Sequence, residues 1–163
     1  MISVGVDLAG LEKNPTGFCK LEFGDREKTD VKILFSDKDI IREVKESKPN
    51  IVCIDAPLSL PKTGYFRRSE MILRSRGFKP LSPMFPAMKT LAKRGMMLQA
   101  RIEQMGIKVI EGFPQATEKI LGLEKEWRVN EHKYDALLCA LTGKYYLLGK
   151  YELVGEETII PKV

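Results

Sequence analysis

Three aspartates of this 163-residue chain lie where apolar sequence predicts buried secondary structure. Asp7 ends the apolar stretch at residues 4–6, Asp55 ends the stretch at 51–54, and Asp135 lies near the start of a nearly all-apolar helical pattern. An unpaired carboxylate in a buried element costs about 3–5 kcal/mol unless a cation or hydrogen bonds compensate it. Because all three lie on elements that a common fold brings together, we expect them to share one divalent-metal site.

The length and composition predict one domain over residues 1–163, since a chain of this size buries about 68–70% of its unfolded surface. Hydrophobic residues make up 44% and charged residues 30%, as in an ordinary globular protein. No apolar run approaches the roughly 20 residues that span a bilayer, so we expect a soluble, cytoplasmic protein that does not enter a membrane. Cys19, Cys53 and Cys139 have no C-x-x-C spacing, which predicts buried free thiols in a reducing compartment.

The net charge of +5 is distributed unevenly along the chain. Residues 62–108 contain eleven basic residues and only two acidic ones, whereas the remainder is net acidic. A basic segment on an acidic body is typical of a protein that binds a polyanion, although a solvated lysine-rich surface has the same composition. The segment contains Arg67, Arg68 and Arg74, which we predict to contact nucleic acid together with Lys133.

The chain begins with three strand patterns, at residues 2–8, 16–23 and 30–35, whose short connections indicate an antiparallel meander. A helix capped by Ser36 or Asp37 follows, and then a buried strand at 51–56. The segment 57–86 contains five of the nine prolines and four arginines, with one short helix. A segment this long and irregular is usually functional, often as a lid or a binding loop.

A helix with Met88, Leu98 and Met105 on its apolar face precedes a fifth strand at 107–111. Two more helices and two weak extended pieces close the chain. The connections are simplest for a mixed five-stranded sheet of order 3-2-1-4-5, flanked by helices, in which strands one, four and five are parallel. The sequence therefore predicts an α/β fold with a Pro/Arg-rich insertion after the fourth strand.

In this sheet Asp7, Asp55 and Glu111 fall at the carboxyl ends of neighbouring strands, about 4.8 Å apart. Asp135 can reach the row from the first turn of the last helix, and His132 lies one turn away on the same side. Oxygen ligands suit Mg²⁺ or Mn²⁺, and two such ions catalyse displacement at phosphorus. We therefore predict a two-ion site at the four acids, with His132 as a further catalytic residue.

The chain resembles the ribonuclease H-like superfamily, and most closely a family of predicted nucleases of that fold. The similar stretches are VGVDLAG at 4–10 with TG at 16–17, IDAPLSLP at 54–61, RRSE at 67–70, LSP at 81–83, VIEGFP at 109–114 and HKYDAL at 132–137. The resemblance implies a five-stranded mixed sheet and a two-metal carboxylate site. In the superfamily the acids come from the first strand, the fourth strand and the last helix, which matches Asp7, Asp55 and Asp135.

Ribonuclease H itself takes a further glutamate from the helix after the third strand. Glu43 and Glu46 lie in that helix here, but neither has a matching local motif, so Glu111 is the alternative source of this carboxylate. The resemblance thus implies a metal-dependent nuclease whose substrate is open between DNA, RNA, a junction and a small nucleotide.

Other interpretations remain open at this point. Asp7 and Asp55 could form Asx turns, and Asp135 could only stabilise a helix N-terminus, which would leave a non-catalytic nucleic-acid-binding protein. An actin-like ATPase or sugar-kinase domain is a weaker alternative, because those proteins clamp nucleotide between two such domains.

Overall fold

The computed structural model describes residues 1–126 and 129–163, and in these residues its centre is a seven-stranded mixed sheet. The strands are β1 (Ile2–Asp7), β2 (Thr16–Glu22), β3 (Lys28–Leu34), β4 (Ile51–Ile54), β5 (Lys108–Gly112), β6 (Tyr151–Val154) and β7 (Thr158–Pro161). The helices are α1 (Asp37–Ser47), α2 (Arg68–Ser75), α3 (Pro86–Glu103), α4 (Pro114–Leu121) and α5 (Glu131–Leu147).

The predicted strand order 3-2-1-4-5 is confirmed, and β4 pairs in parallel with both β1 and β5. The predicted strand number of five is wrong, because β7 and β6 extend the sheet beyond β5. β7 pairs in parallel with the end of β5, and β6 pairs antiparallel with β7. Each of these strands has only four residues, too few for a pattern that distinguishes a sheet strand from an extended tail.

Helices cover both faces of the sheet, so its central strands are buried on both sides. Val6, Ile54 and Leu98 belong to one apolar core, which α1 and α3 cover. On the opposite face, α5 packs on β1 and β2, with Ala136 and Ala140 in the contact. The wholly apolar sequences of β4 and of much of α5 follow from this central position.

Two strand glycines set the distance between α5 and the sheet. A Cβ atom on Gly5 would lie 2.0 Å from the carbonyl oxygen of Ala136, and one on Gly17 would lie 1.9 Å from that of His132. No side chain fits at either position, so the helix backbone rests directly on the strands. This contact brings the first turns of α5 onto the end of β1, where Asp7 lies.

The predicted state of the three cysteines is confirmed: Cys19, Cys53 and Cys139 are all buried and free. Within the described part of the chain, no helix has both the length and the apolar character needed to cross a membrane.

Candidate active site

Asp7 and Asp55 stand side by side at the carboxyl ends of adjacent parallel strands. Val6 pairs with Ile54 across β1 and β4, and the backbone N–H of Asp55 donates to the carbonyl oxygen of Val6 at 2.8 Å. Side chains alternate between the two faces of a strand. Since Val6 and Ile54 point into the core beneath α1 and α3, the two aspartates point to the α5 face.

Helix α5 brings Asp135 and His132 to this pair. The Asn130 side chain caps the helix by accepting a hydrogen bond from the backbone N–H of Lys133 at 3.2 Å. His132 Nδ1 lies 2.9 Å from Asp7 Oδ2, so the histidine contacts one carboxylate oxygen of Asp7. The side chain of Asp7 is largely buried, whereas that of His132 is 43% exposed and forms the solvent side of the site.

The three aspartates interact electrostatically, and each holds its proton more tightly than an ordinary aspartate. Burial raises the pKa of Asp55 well above its usual value, and the charges of Asp7 and Asp135 raise it further. The charge of Glu111 raises the pKa of Asp55 as well. Burial and the charge of Asp7 raise the pKa of Asp135 to about 6. Burial raises the pKa of Asp7 even though the hydrogen bond from His132 opposes it. The cluster therefore contains more negative charge than the surrounding protein compensates.

We expect Asp135→Asn to raise the melting temperature of the metal-free protein at neutral pH by about 2–4 °C. The folded-state pKa of about 6 exceeds the ordinary value of 3.8, so ionisation of Asp135 destabilises the fold. The wild-type protein is thus expected to lose stability as the pH rises from about 4 to about 6. Discounted for partial exposure, the loss is about 1 kcal/mol.

Thermal denaturation with a chelator, at pH values below and above this window, measures the effect. Asp25→Asn, at an exposed turn position, is the matched control and should leave the melting temperature unchanged. A variant that is less stable than the wild type above pH 6 would contradict the assignment of Asp135 to a repulsive cluster.

Glu111 is near the row of aspartates but faces the other side of the sheet. Ile54 pairs with Glu111, so Asp55 is level with Gly112 instead. Val109 belongs to the core beneath α3 and Ile110 to the core beneath α5, which places Glu111 on the α3 face. The sequence prediction placed Glu111 in one row with Asp7 and Asp55. Glu111 instead lies one residue before Gly112, which is the residue level with Asp55, and its side chain therefore points to the opposite face.

Glu111 instead forms a buried cluster with Arg67. The Arg67 guanidinium donates to both Glu111 oxygens, at 2.8 and 2.7 Å. The Leu58 N–H and the Thr158 hydroxyl each donate to one of these oxygens at 2.9 Å. With these four bonds the carboxylate is fully satisfied. The geometry therefore does not favour the predicted role of Glu111 as a catalytic residue and metal ligand.

The predicted contact of Arg67 with nucleic acid does not agree with its position either. Arg67 is 5% exposed, and its guanidinium also donates to Glu70 and to Ser59. Glu70 in turn accepts the backbone N–H of Arg67 at 2.7 Å, which fixes the start of α2. The arginine therefore anchors the insertion to the end of β5, and the RRSE motif at 67–70 has a structural role here.

The other three predicted nucleic-acid residues reach solvent. Arg68 and Arg74 are exposed on α2, and the Arg74 guanidinium carbon lies 4.7 Å from the centre of the Phe66 ring. Lys133 is half-buried in the first turn of α5, next to His132. These positions leave all three available to a ligand.

A lysine-lined groove next to Asp135 was missed by the sequence analysis. Its volume is about 600 Å³, and its charged lining consists of three lysines and three acids: Lys79, Lys119, Lys125, Glu118, Glu131 and Asp135. The three lysines are separated by up to 46 positions in the sequence, and no motif connects them. Only the packing of the insertion beside α4 and α5 brings them to one surface.

The donor set of the three aspartates fits a hard divalent cation. Within residues 1–126 and 129–163, no three acidic, histidine or cysteine side chains already stand in a metal-coordinating arrangement. In the same residues, no side-chain hydrogen bond reaches the carboxylates of Asp55 or Asp135, and only His132 reaches that of Asp7. Oxygen ligands with excess negative charge are the donors that Mg²⁺ and Mn²⁺ select.

Two solved structures of Thermus thermophilus RuvC share this fold. The first, of RuvC in complex with Holliday junction substrate, has a TM-score of 0.57 and 14% sequence identity, and the alignment covers 91% of this chain and 96% of that one. The second, of RuvC, has a TM-score of 0.53 at 14% identity, covering 91% and 97%. No protein-family model and no curated protein matches the sequence. The predicted ribonuclease H-like fold is thereby confirmed.

Proposed function

We propose that this protein is a divalent-metal-dependent nuclease that hydrolyses phosphodiester bonds of a nucleic acid. The observation that supports this most strongly is the meeting of Asp7, Asp55 and Asp135 at one edge of the sheet with raised pKa values. Groups that share a cleft and perturb each other's pKa values are typical of functional sites. The shared fold with RuvC supports the same class of activity.

The three aspartates would hold Mg²⁺ or Mn²⁺, and the bound ions supply Lewis-acid activation of water and stabilisation of the leaving oxygen. His132 occupies Oδ2 of Asp7 and leaves Oδ1 of that carboxylate available as a ligand. From its partly exposed position His132 can also exchange a proton with solvent during the reaction. We therefore assign it the role of orienting Asp7 and transferring protons.

The groove lined by Lys79, Lys119 and Lys125 is the proposed path of the phosphate backbone. It adjoins Asp135, so a strand bound there leads directly to the carboxylates. Exposed Arg68 and Arg74 on α2 are further cations that a nucleic acid can contact. That RuvC was solved with a Holliday junction substrate makes a DNA junction one substrate to test.

A cleavage assay with purified protein tests the proposal. The substrates are single strands, duplexes, hybrids and four-way junctions, each with Mg²⁺, with Mn²⁺ and with a chelator. We expect cleavage of at least one substrate that requires the metal and is lost in Asp7→Asn. If no substrate is cleaved with either metal, the nuclease proposal fails.

Binding through the lysine groove is expected to depend strongly on salt. Each phosphate contact that is removed lowers the slope of log affinity against log salt by about 0.7–0.9. We expect Lys79→Gln and Lys119→Gln each to produce this change, and Lys45→Gln, on the exposed face of α1, to produce none. Titrations of a labelled oligonucleotide at several salt concentrations measure the slopes. If all three variants have the same slope as the wild type, the groove is not the path of the phosphate backbone.

A second candidate function is nucleic-acid binding without catalysis. It is favoured by the lack, among the described residues, of a ready-made arrangement of metal ligands. Salt-sensitive binding without turnover, unaffected by Asp7→Asn, would support this candidate over the nuclease. A cytoplasmic location and a lid role for residues 57–86 stay predictions from the sequence.

A further inference from the structure

A small apolar cavity adjoins the carboxylates on the side of the insertion. Its volume is about 200 Å³, and Asp7 and Asp55 line it. Its apolar lining comes from the strand ends, the insertion and the start of α3, and includes Leu8, Pro57, Leu73, Met88, Leu91 and Phe113. A ligand in this cavity would therefore be in direct contact with the proposed reaction site.

The polar groups of the cavity are already used within the protein. Arg67, Glu70, Glu111 and Thr158 line one end, and they hydrogen-bond to one another. Among the described residues that line the cavity, the carboxylate oxygens of Asp7 and Asp55 remain as hydrogen-bond acceptors, and we assign these oxygens to metal binding. The cavity can thus select a ligand by shape and apolar contact but has little capacity to read hydrogen-bonding groups.

Leu81 lines the same cavity and is 58% exposed. Met88 is only half-buried, so two large apolar side chains are open to solvent beside a strongly charged cluster. Covering such a surface with an apolar group of a ligand is favourable, at about 25 cal/mol per Å² removed from water. In a nucleic acid, the planar bases are the groups that can provide this cover.

We propose that the cavity accepts a single unstacked nucleobase of the substrate, next to the phosphodiester bond that is cleaved. This inference rests on the proposed nuclease function. At about 200 Å³ the cavity is below the usual size of a drug-sized site and has no room for a base pair. The preferred substrate is therefore a nucleic acid with an unpaired or easily unstacked nucleotide at the cleavage position, with little sequence preference.

Fluorescence of 2-aminopurine tests this directly, because the emission of this base rises when it leaves the stack. The probe is a short duplex with one unpaired 2-aminopurine, prepared as DNA and as RNA, and the protein is Asp7→Asn so that the strand stays intact. We expect emission to rise on binding. In Met88→Trp, which fills the cavity, we expect no rise and an affinity about tenfold lower.

Met97→Trp is the matched control, since Met97 is exposed on the same helix. It should bind the probe as the parent does. A second probe lacks the base at the unpaired position. It is tested with the parent protein alone, so its result does not depend on whether a cavity variant folds. We expect the parent protein to bind this abasic probe about tenfold more weakly than the 2-aminopurine probe.

If the parent protein binds the 2-aminopurine probe and the abasic probe with equal affinity, and 2-aminopurine emission does not change, the inference is overturned. The nuclease proposal would still stand. Failure to bind any nucleic acid, together with failure of the cleavage assay, would overturn both. A rise in 2-aminopurine emission on binding, together with no cleavage by the wild-type protein in the cleavage assay, would support the base-binding cavity and reject the nuclease proposal.

Discussion

Replacement of Arg67 by alanine is expected to destabilise the protein by about 3–5 kcal/mol. The guanidinium of Arg67 donates hydrogen bonds to two buried carboxylates, those of Glu70 and Glu111. Its removal leaves both acids buried without a cation and with only their remaining hydrogen bonds. Natural domains have only about 5–15 kcal/mol of total stability. Thermal and urea denaturation should therefore show a melting temperature lower by about 10 °C or more.

Arg68→Ala is the matched control, since the two arginines are adjacent in the sequence but Arg68 is exposed. We expect that variant to change stability by less than about 0.5 kcal/mol. Similar melting temperatures for the two alanine variants would contradict the buried cluster. They would return Arg67 to the nucleic-acid surface where the sequence prediction placed it.

Asp55→Asn is expected to lower the proposed nuclease activity by roughly a hundred- to a thousandfold while the metal-free protein becomes more stable. Activity falls because the amide is a poor ligand for a divalent cation. Stability rises because burial and the charges of Asp7 and Asp135 raise the pKa of Asp55, so the ionised carboxylate opposes folding at neutral pH. Cleavage rates and thermal denaturation with a chelator measure the two effects on one preparation.

The opposite signs of these effects separate a functional carboxylate from a structural one. Asp25→Asn, at an exposed turn position, should change neither quantity. If Asp55→Asn lowers stability and activity together, Asp55 has a structural role, and the loss of activity follows from partial unfolding.

The sequence predicted the sheet order and the positions of Asp7 and Asp55 at the strand ends because both depend on local patterns. Short runs that contain β-branched and other apolar residues identify β1 to β5. The rule that parallel strands share a carboxyl edge then places Asp7 beside Asp55. The position of Asp135 close to the start of α5 was also predictable, although α5 begins at Glu131, so Asp135 follows the first turn and does not lie in it.

The position of Glu111 was not predictable from the same patterns. β4 is wholly apolar, and the two charged residues of β5, Lys108 and Glu111, are three positions apart. Neither strand therefore shows the alternation of polar and apolar residues that assigns side chains to faces. A shift of one residue in register reverses the face of every side chain. Glu111 thus lies opposite to the aspartates, and its partner Arg67 is 44 positions away, beyond any local signal.

Gly5 and Gly17 carried a signal that the sequence analysis did not use. A glycine inside a strand often marks close approach of another backbone, and both glycines lie in strands. Their role became clear only in the structure, where the backbone of α5 occupies the space that a Cβ atom would need.

Titration of Mn²⁺ into the metal-free protein, followed by calorimetry or electron paramagnetic resonance, tests most directly whether the three aspartates form one metal site. We expect the wild-type protein to bind the ion, and Asp7→Asn, Asp55→Asn and Asp135→Asn each to weaken binding by roughly tenfold or more. Asp25→Asn should bind as the wild type does. Equal Mn²⁺ affinity in all four variants, or no binding by the wild type, would contradict the proposed metal-dependent site.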